Sequence, residues 1–192
     1  MRKAHAPTLC GHTLGRRRHV CLLYSTPELE FAGLLPFVRE GLAAGEHVCH
    51  IVAPSERAAR LARLAENGIP CDDAVADGRL HVSDWNETYL KDPPFSADAM
   101  LDRVRGFLGD AHADGHARVR GWGDMRWIEE TDVPGGELLR YERLVDSVAS
   151  EFPDDVLVCA YDVATLPPRV VSEVAAVHRV VVFDHRMYEN PR

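Results

Sequence analysis

The sequence predicts an α/β chain folded as a three-layer α/β/α sandwich around a mainly parallel sheet. Short β-branched runs alternate with longer stretches of helical periodicity along most of the chain, the order of a doubly wound sheet. Four of these runs, starting at His19, His47, Val156 and Arg179, are almost continuously apolar, as strands covered on both faces must be. A chain of 192 residues with 46% hydrophobic content suits one compact domain without covalent staples.

The elements follow in order. Residues 1–17 show little periodicity and read as a flexible leader, loose or packed across an edge, ahead of a single domain over 18–192. His19 to Tyr24 is the first strand, and Pro27, suited to a first helical turn, opens a helix that Gly45 stops. His47 to Ala53 is the second strand, and Ser55 is the expected N-cap of a helix running to Asn67 and ended by Gly68. Arg79 to Ser83 is a short third strand. A loop with Pro93 and Pro94 leads to a helix over Ala97 to Ala113. His116 to Trp122 is the fourth strand, followed by a long helix from Glu137 to Phe152. Val156 to Tyr161 is the fifth strand, Pro167 and Pro168 open a helix to Val177, and Arg179 to Asp184 is the sixth strand. The tail after His185 is short and polar.

The formal net charge of −8 argues against nucleic acid as a direct partner, because such proteins present a basic face. Arg16, Arg17 and Arg18 form the one basic cluster and read as a solvated run. No apolar run approaches the ~20 residues that span a bilayer. Although Arg2 and Lys3 precede the arginine triplet, no apolar segment follows, so no secretory signal or membrane partner is expected. Cys10, Cys21, Cys49, Cys71 and Cys159 are odd in number and show no framework. They imply a reducing, cytoplasmic location without structural disulfides.

A parallel sheet binds ligands beyond the carboxyl ends of its strands. Tyr24 ends the first strand there. Trp85 and Tyr89 follow the third, Trp122, Asp124 and Trp127 the fourth, and Tyr161 ends the fifth. All three tryptophans fall in this set, and aromatic rings with a few carboxylates suit a small-molecule pocket. Rings that merely plug the sheet top, and Asp124 as the cap of a short following helix, are the plainer alternatives.

Several chemistries lack their residues. The turn Tyr24 to Glu30 has no glycine and no Lys-Ser/Thr pair, and Glu28 and Glu30 would repel a triphosphate. Gly121-Trp122-Gly123 lacks the third glycine of a dinucleotide fingerprint, where Arg126 stands. Cys49 and His50 are strand neighbours and point to opposite faces, which disfavours a nucleophile–base pair. His112/His116, Cys10-x-His12 and His19-x-Cys21 each fall short of the four converging ligands of a zinc site. No catalytic residue, cofactor or native metal is therefore expected.

Ordered pieces of the chain carry a resemblance. They are His19-Val20-Cys21-Leu22-Leu23-Tyr24; Phe37-Val38-Arg39-Glu40-Gly41-Leu42 with Gly45-Glu46; Gly78-Arg79-Leu80; Glu87-Thr88-Tyr89-Leu90; Gly123-Asp124-Met125-Arg126-Trp127; Tyr141-Glu142; Cys159-Ala160-Tyr161-Asp162; and Tyr188-Glu189-Asn190-Pro191. The set resembles the MEDS family, the sensory domain named for methanogens, methylotrophs and the dichloromethane-dehalogenase repressor. The resemblance implies a fold like that of KaiC/RecA-type ATPases without the phosphate loop. It also implies sensing of a small organic ligand, such as a hydrocarbon derivative, in bacterial signal transduction or transcription regulation. On this reading ligand enters between Tyr24, Trp85, Trp122, Trp127 and Tyr161, beside Tyr89, with Asp124 and Glu142 giving polar recognition. The Asp84 to Ser96 segment is the expected lid.

Family members often carry a fused output domain, for which 192 residues leave no room. A stand-alone partner of a kinase, anti-sigma factor or repressor is accordingly the second reading, with a homodimer among the expected assemblies. A metal- or haem-responsive regulator using His and Cys is the third, and carboxylate chemistry at Asp124 or Glu142 the fourth.

Overall fold

The computed structural model describes residues 6–16, 18–133 and 135–191. Arg2, Lys3 and Arg17 of the basic N-terminal residues lie outside them. The strands are β1 (Thr8–Leu9), β2 (His12–Thr13), β3 (His19–Tyr24), β4 (His47–Val52), β5 (Leu80–Asp84), β6 (Val119–Asp124), β7 (Val156–Asp162), β8 (Val180–Phe183) and β9 (Arg186–Glu189). The helices are α1 (Pro27–Ala43), α2 (Arg57–Glu66), α3 (Cys71–Ala76), α4 (Ala97–Ala113), α5 (Gly135–Glu151) and α6 (Pro168–Val177). Seven strands form one sheet in the order β5-β4-β6-β7-β3-β8-β9, parallel throughout except for β9. No helix among the described residues is long and apolar enough to cross a membrane.

Alternation along the strands gives each face of the sheet its own core. Val20, Leu22, Val48, Val52, Trp122, Val158 and Val182 face α1, α2 and α3, meeting Leu34, Phe37 and Leu64. Cys21, Leu23, Val119, Cys159, Tyr161 and Val181 face α4, α5 and α6, meeting Leu108, Val145 and Val174. The sequence reading of a doubly wound sandwich thus holds, and most element boundaries agree within a few residues.

The differences have local causes. Ser55 is not an N-cap, because Pro54–Glu56 form a 3₁₀ turn first and α2 starts without a side-chain cap. The fourth strand begins at Val119 rather than His116, because the His116 N–H closes α4 by donating to Ala111. The polar tail folds back as β9 through Asp184 and His185, both at positive φ, the backbone a tight hairpin requires. In the leader, β1 and β2 pair, and Leu9 and Leu14 sink into the α1 core at 1% and 2% exposure. Thr8 also binds Glu40 of α1 through its hydroxyl and amide. The described part of the leader is packed rather than loose.

One buried charge cluster locks the amino ends of the strands. Glu46 receives the Arg118 guanidinium and the Arg120 Nε, the latter at 2.5 Å, and all three side chains are buried. Arg120 crosses α1 where Gly41 stands, and a Cβ there would lie 2.8 Å from Arg120 Cδ.

Two stability measurements check this architecture. Leu9→Ala lowers the unfolding free energy by about 2–5 kcal/mol in a urea titration, whereas a loose leader would leave it unchanged. Glu46→Gln, which leaves Arg118 and Arg120 poorly compensated, lowers it by about 3–5 kcal/mol in the same assay.

Candidate functional site

A cavity of about 260 Å³ lies between the sheet and helices α4 and α5. Its floor is β4, β6 and β7, through Cys49, Ile51, Gly121, Gly123 and Cys159. Met100, Arg103, Val104 and Phe107 form the α4 wall, Tyr141 and Val145 the α5 wall, and Glu87 to Tyr89 the rim. The floor is open because β6 carries glycine at two successive positions on this face. A Cβ on Gly121 would press on Leu157 at 2.9 Å, and one on Gly123 would collide with the Tyr89 hydroxyl. The Gly121-Trp122-Gly123 sequence therefore serves close approach of side chains to the sheet.

The cavity is mostly apolar with a few polar groups. Ser83 hydrogen-bonds His81 at 2.6 Å, and the Tyr89 and Tyr141 hydroxyls bond one another. Arg103 is tied to Asp92 and to the Thr88 carbonyl. Burial pushes the Cys49 thiol up to about 12 and the Cys159 thiol well above its ordinary value, with Glu142 adding to the latter. Both line the cavity as neutral small groups.

The sequence-predicted residues divide between the two faces. Trp85, Tyr89, Trp127, Tyr161 and Glu142 lie on the α4–α6 side, all buried. Tyr89 stacks on Trp127 with centroids 4.9 Å apart, Phe95 covers Trp127 at 4.6 Å, and Trp85 Nε1 donates to the Asp124 carbonyl. The Asp84 to Ser96 segment is thus anchored by Trp85 and Tyr89. Trp122 packs on Phe37 in the opposite core, although it borders the cavity, and Tyr24 lies on that side too. Tyr89 and Trp122 are the predicted residues that reach the cavity.

At the carboxyl ends of the strands, charges pair with one another. Asp124 accepts from the Arg126 amide, capping the 3₁₀ turn Met125–Glu129, and from the Arg126 guanidinium, which also grips Glu56. Glu30 accepts from Arg60 at 2.6 Å. Tyr24, Glu30, Glu56, Arg60 and Arg126 line this corner. His112 serves as a structural cap, bonded to the His116 carbonyl and to Asp155.

Beside the cavity lies a buried polar cluster. Glu142, on α5 and fully buried, accepts from the Tyr161 hydroxyl through Oε1. Its Oε2 is 3.1 Å from Nε2 of both His19 and His178. Burial pushes the Glu142 carboxyl up, but His178 and His19 more than offset this and hold it well below the carboxylate range. Burial lowers the His19 value, but hydrogen bonds to Asp146 and Glu142 outweigh it and raise it to about 9. Sequence reasoning named Glu142 and Tyr161 but missed His178 and the α4 wall. Only the glycine pair in β6 hinted that something packs closely there.

Two comparisons with known proteins place the chain in a family. A family model described as the methanogen/methylotroph, DcmR sensory domain (MEDS) matches residues 18–179. The chain is also 23% identical over 180 residues to the transcriptional repressor DcmR of Methylorubrum extorquens (strain DSM 6343 / CIP 106787 / DM4), covering 93% of this chain. It spans 64% of that repressor's length. The match runs from the lead-in of β3 to the end of α6, and the chain belongs to the MEDS sensory-domain family.

Proposed function

We propose that this sensory domain recognises a small, mostly apolar organic molecule in the cavity between the sheet and α4–α5, and that it acts in transcription regulation without catalysis. The observation that carries this reading is the cavity itself. Its 260 Å³ exceeds the ~150 Å³ that holds benzene and falls just short of the ~300 Å³ at which drug-sized sites begin. Ser83, Arg103 and the tyrosine pair offer hydrogen bonds to a polar end of such a molecule.

The rim explains how occupancy can be transmitted. Thr88 and Asp92 are held by Arg103 of α4, and Tyr89 sits on Gly123, so loop, helix and floor share one set of contacts. A ligand that fits one arrangement of that rim better than another shifts the population toward it. The named relative is a transcriptional repressor, which supports a regulatory output. A protein partner for that output, including a second copy of this chain, is favoured by Phe183 and Tyr188, which are 41% and 51% exposed at the sheet edge.

Thermal melting against a panel of small halogenated, oxygenated and aromatic hydrocarbons tests the reading. A binder at a hundredfold excess over its Kd raises Tm by about 5–10 °C. Val104→Trp, which fills the cavity from α4, abolishes that shift while melting cooperatively. The reading fails if no compound shifts Tm, or if Val104→Trp responds as the unaltered chain does.

A further inference from the structure

The buried cluster beside the cavity has the donor set and spacing of a metal centre. His19 of β3, Glu142 of α5, Cys159 of β7 and His178 after α6 place one ligand atom each within 4.8 Å of all the others, and all four residues are buried. His19 Nε2 to Glu142 Oε2, His178 Nε2 to Glu142 Oε2 and His19 Nε2 to His178 Nε2 are each 3.1 Å, and Cys159 Sγ is 3.6 Å from His19 Nε2. Tetrahedral coordination with metal–ligand bonds of ~2.0–2.3 Å separates ligand atoms by about 3.3–3.6 Å. These four of the six edges lie close to that, and the remaining two, from Cys159 to Glu142 and to His178, lie within 4.8 Å.

The hydrogen atoms point the same way. His178 Nδ1 is 2.8 Å from the Val174 carbonyl, which only accepts, so this nitrogen carries the proton. His19 Nδ1 donates to the Asp146 carboxylate at 2.9 Å. In the neutral rings both Nε2 atoms therefore present lone pairs, toward each other and toward Glu142 Oε2. A proton can bridge one edge of that triangle at a time, whereas a cation at its centre satisfies all three edges and Cys159 as well. The outer contacts complete the pattern: a carboxylate and a carbonyl orient the two imidazoles, and the Tyr161 hydroxyl occupies the other Glu142 oxygen. Two neutral imidazoles, a carboxylate and a thiolate balance a divalent charge.

We propose that His19, Glu142, Cys159 and His178 bind one zinc-type divalent cation. Borderline N, O and S donors in a four-coordinate, water-excluding set suit Zn²⁺ in a structural or sensing role. Binding displaces the proton of the Cys159 thiol, because the thiolate is the ligand. A groove lined by Arg18, Arg143, Asp146, Ser150 and Arg179 leads from the surface to His19, and Cys159 borders the organic-ligand cavity on the other side. The centre stands on these contacts alone and does not depend on the cavity being a ligand site.

Tag-free protein grown with added zinc, then stripped and titrated with Zn²⁺ and Co²⁺, tests the proposal. The expected result is one ion per chain. The Co²⁺ form should give tetrahedral d–d bands and a thiolate charge-transfer band that Cys159→Ser abolishes. Asp146→Asn, a change at a half-buried position outside the ligand set, should weaken Zn²⁺ binding about 10-fold or more with circular dichroism unchanged. His112→Ala, at a carboxylate-paired histidine outside the cluster, should leave the ion stoichiometry and the Co²⁺ spectrum as they are. The proposal is overturned if the folded chain retains no stoichiometric ion. It is equally overturned if Cys159→Ser and Asp146→Asn leave spectrum and affinity as they were, which would make the cluster a proton-sharing network.

Discussion

A fully buried carboxylate tolerates few environments, and Glu142 has a complete one. An isolated carboxylate in an apolar layer would neutralise or pull its helix outward. Here Tyr161 from β7, His19 from β3 and His178 from the end of α6 converge on it. Three other elements are pinned to α5 at one point. Tyr141 and Val145, one residue before and three after Glu142, are thereby fixed as one wall of the cavity. The same interaction that docks the helix sets the width of the space beneath it.

The floor is governed by the absence of side chains. Gly121 and Gly123 leave β6 bare on the α4–α5 face, so Leu157 and the Tyr89 ring rest against the backbone. Tyr89 is then held from above by Trp127, itself covered by Phe95. Trp85, Trp127 and Phe95 brace the cavity without lining it. Its lining comes from α4 through Met100, Val104 and Phe107, and from two buried thiols. In this construction Tyr89 belongs at once to the rim and, through its contact with Gly123, to the floor.

The sheet was legible because its signals are local. The apolar runs at His19 to Tyr24 and Val156 to Tyr161 mark doubly covered strands, and Ala97 to Ala113 shows helical spacing between a serine cap and Gly115. What escaped was short or polar. The helix Cys71–Ala76 has fewer than two turns, and β9 follows a turn at Asp184 and His185 that lacks the usual Asn-Gly signature. For the site, proximity to strand ends grouped Trp122 with Trp127, yet alternation already implied the division. Trp122 stands between two glycines and must face away from whatever they face. The His19, Glu142, Cys159 and His178 cluster spans 159 residues between its outer members and leaves no spacing motif to read. Only the fold brings those four together.

The methionines offer a direct probe of where a ligand resides. Met100 lines the cavity, Met125 is buried in the core on the α4–α6 side, and Met187 lies on the far edge strand β9. With carbon-13 methyl methionine, a binding hydrocarbon derivative should shift the Met100 resonance progressively and to saturation while Met187 stays in place. Saturable binding that leaves Met100 unmoved, or moves Met187 instead, would contradict a recognition site between the sheet and α4–α5.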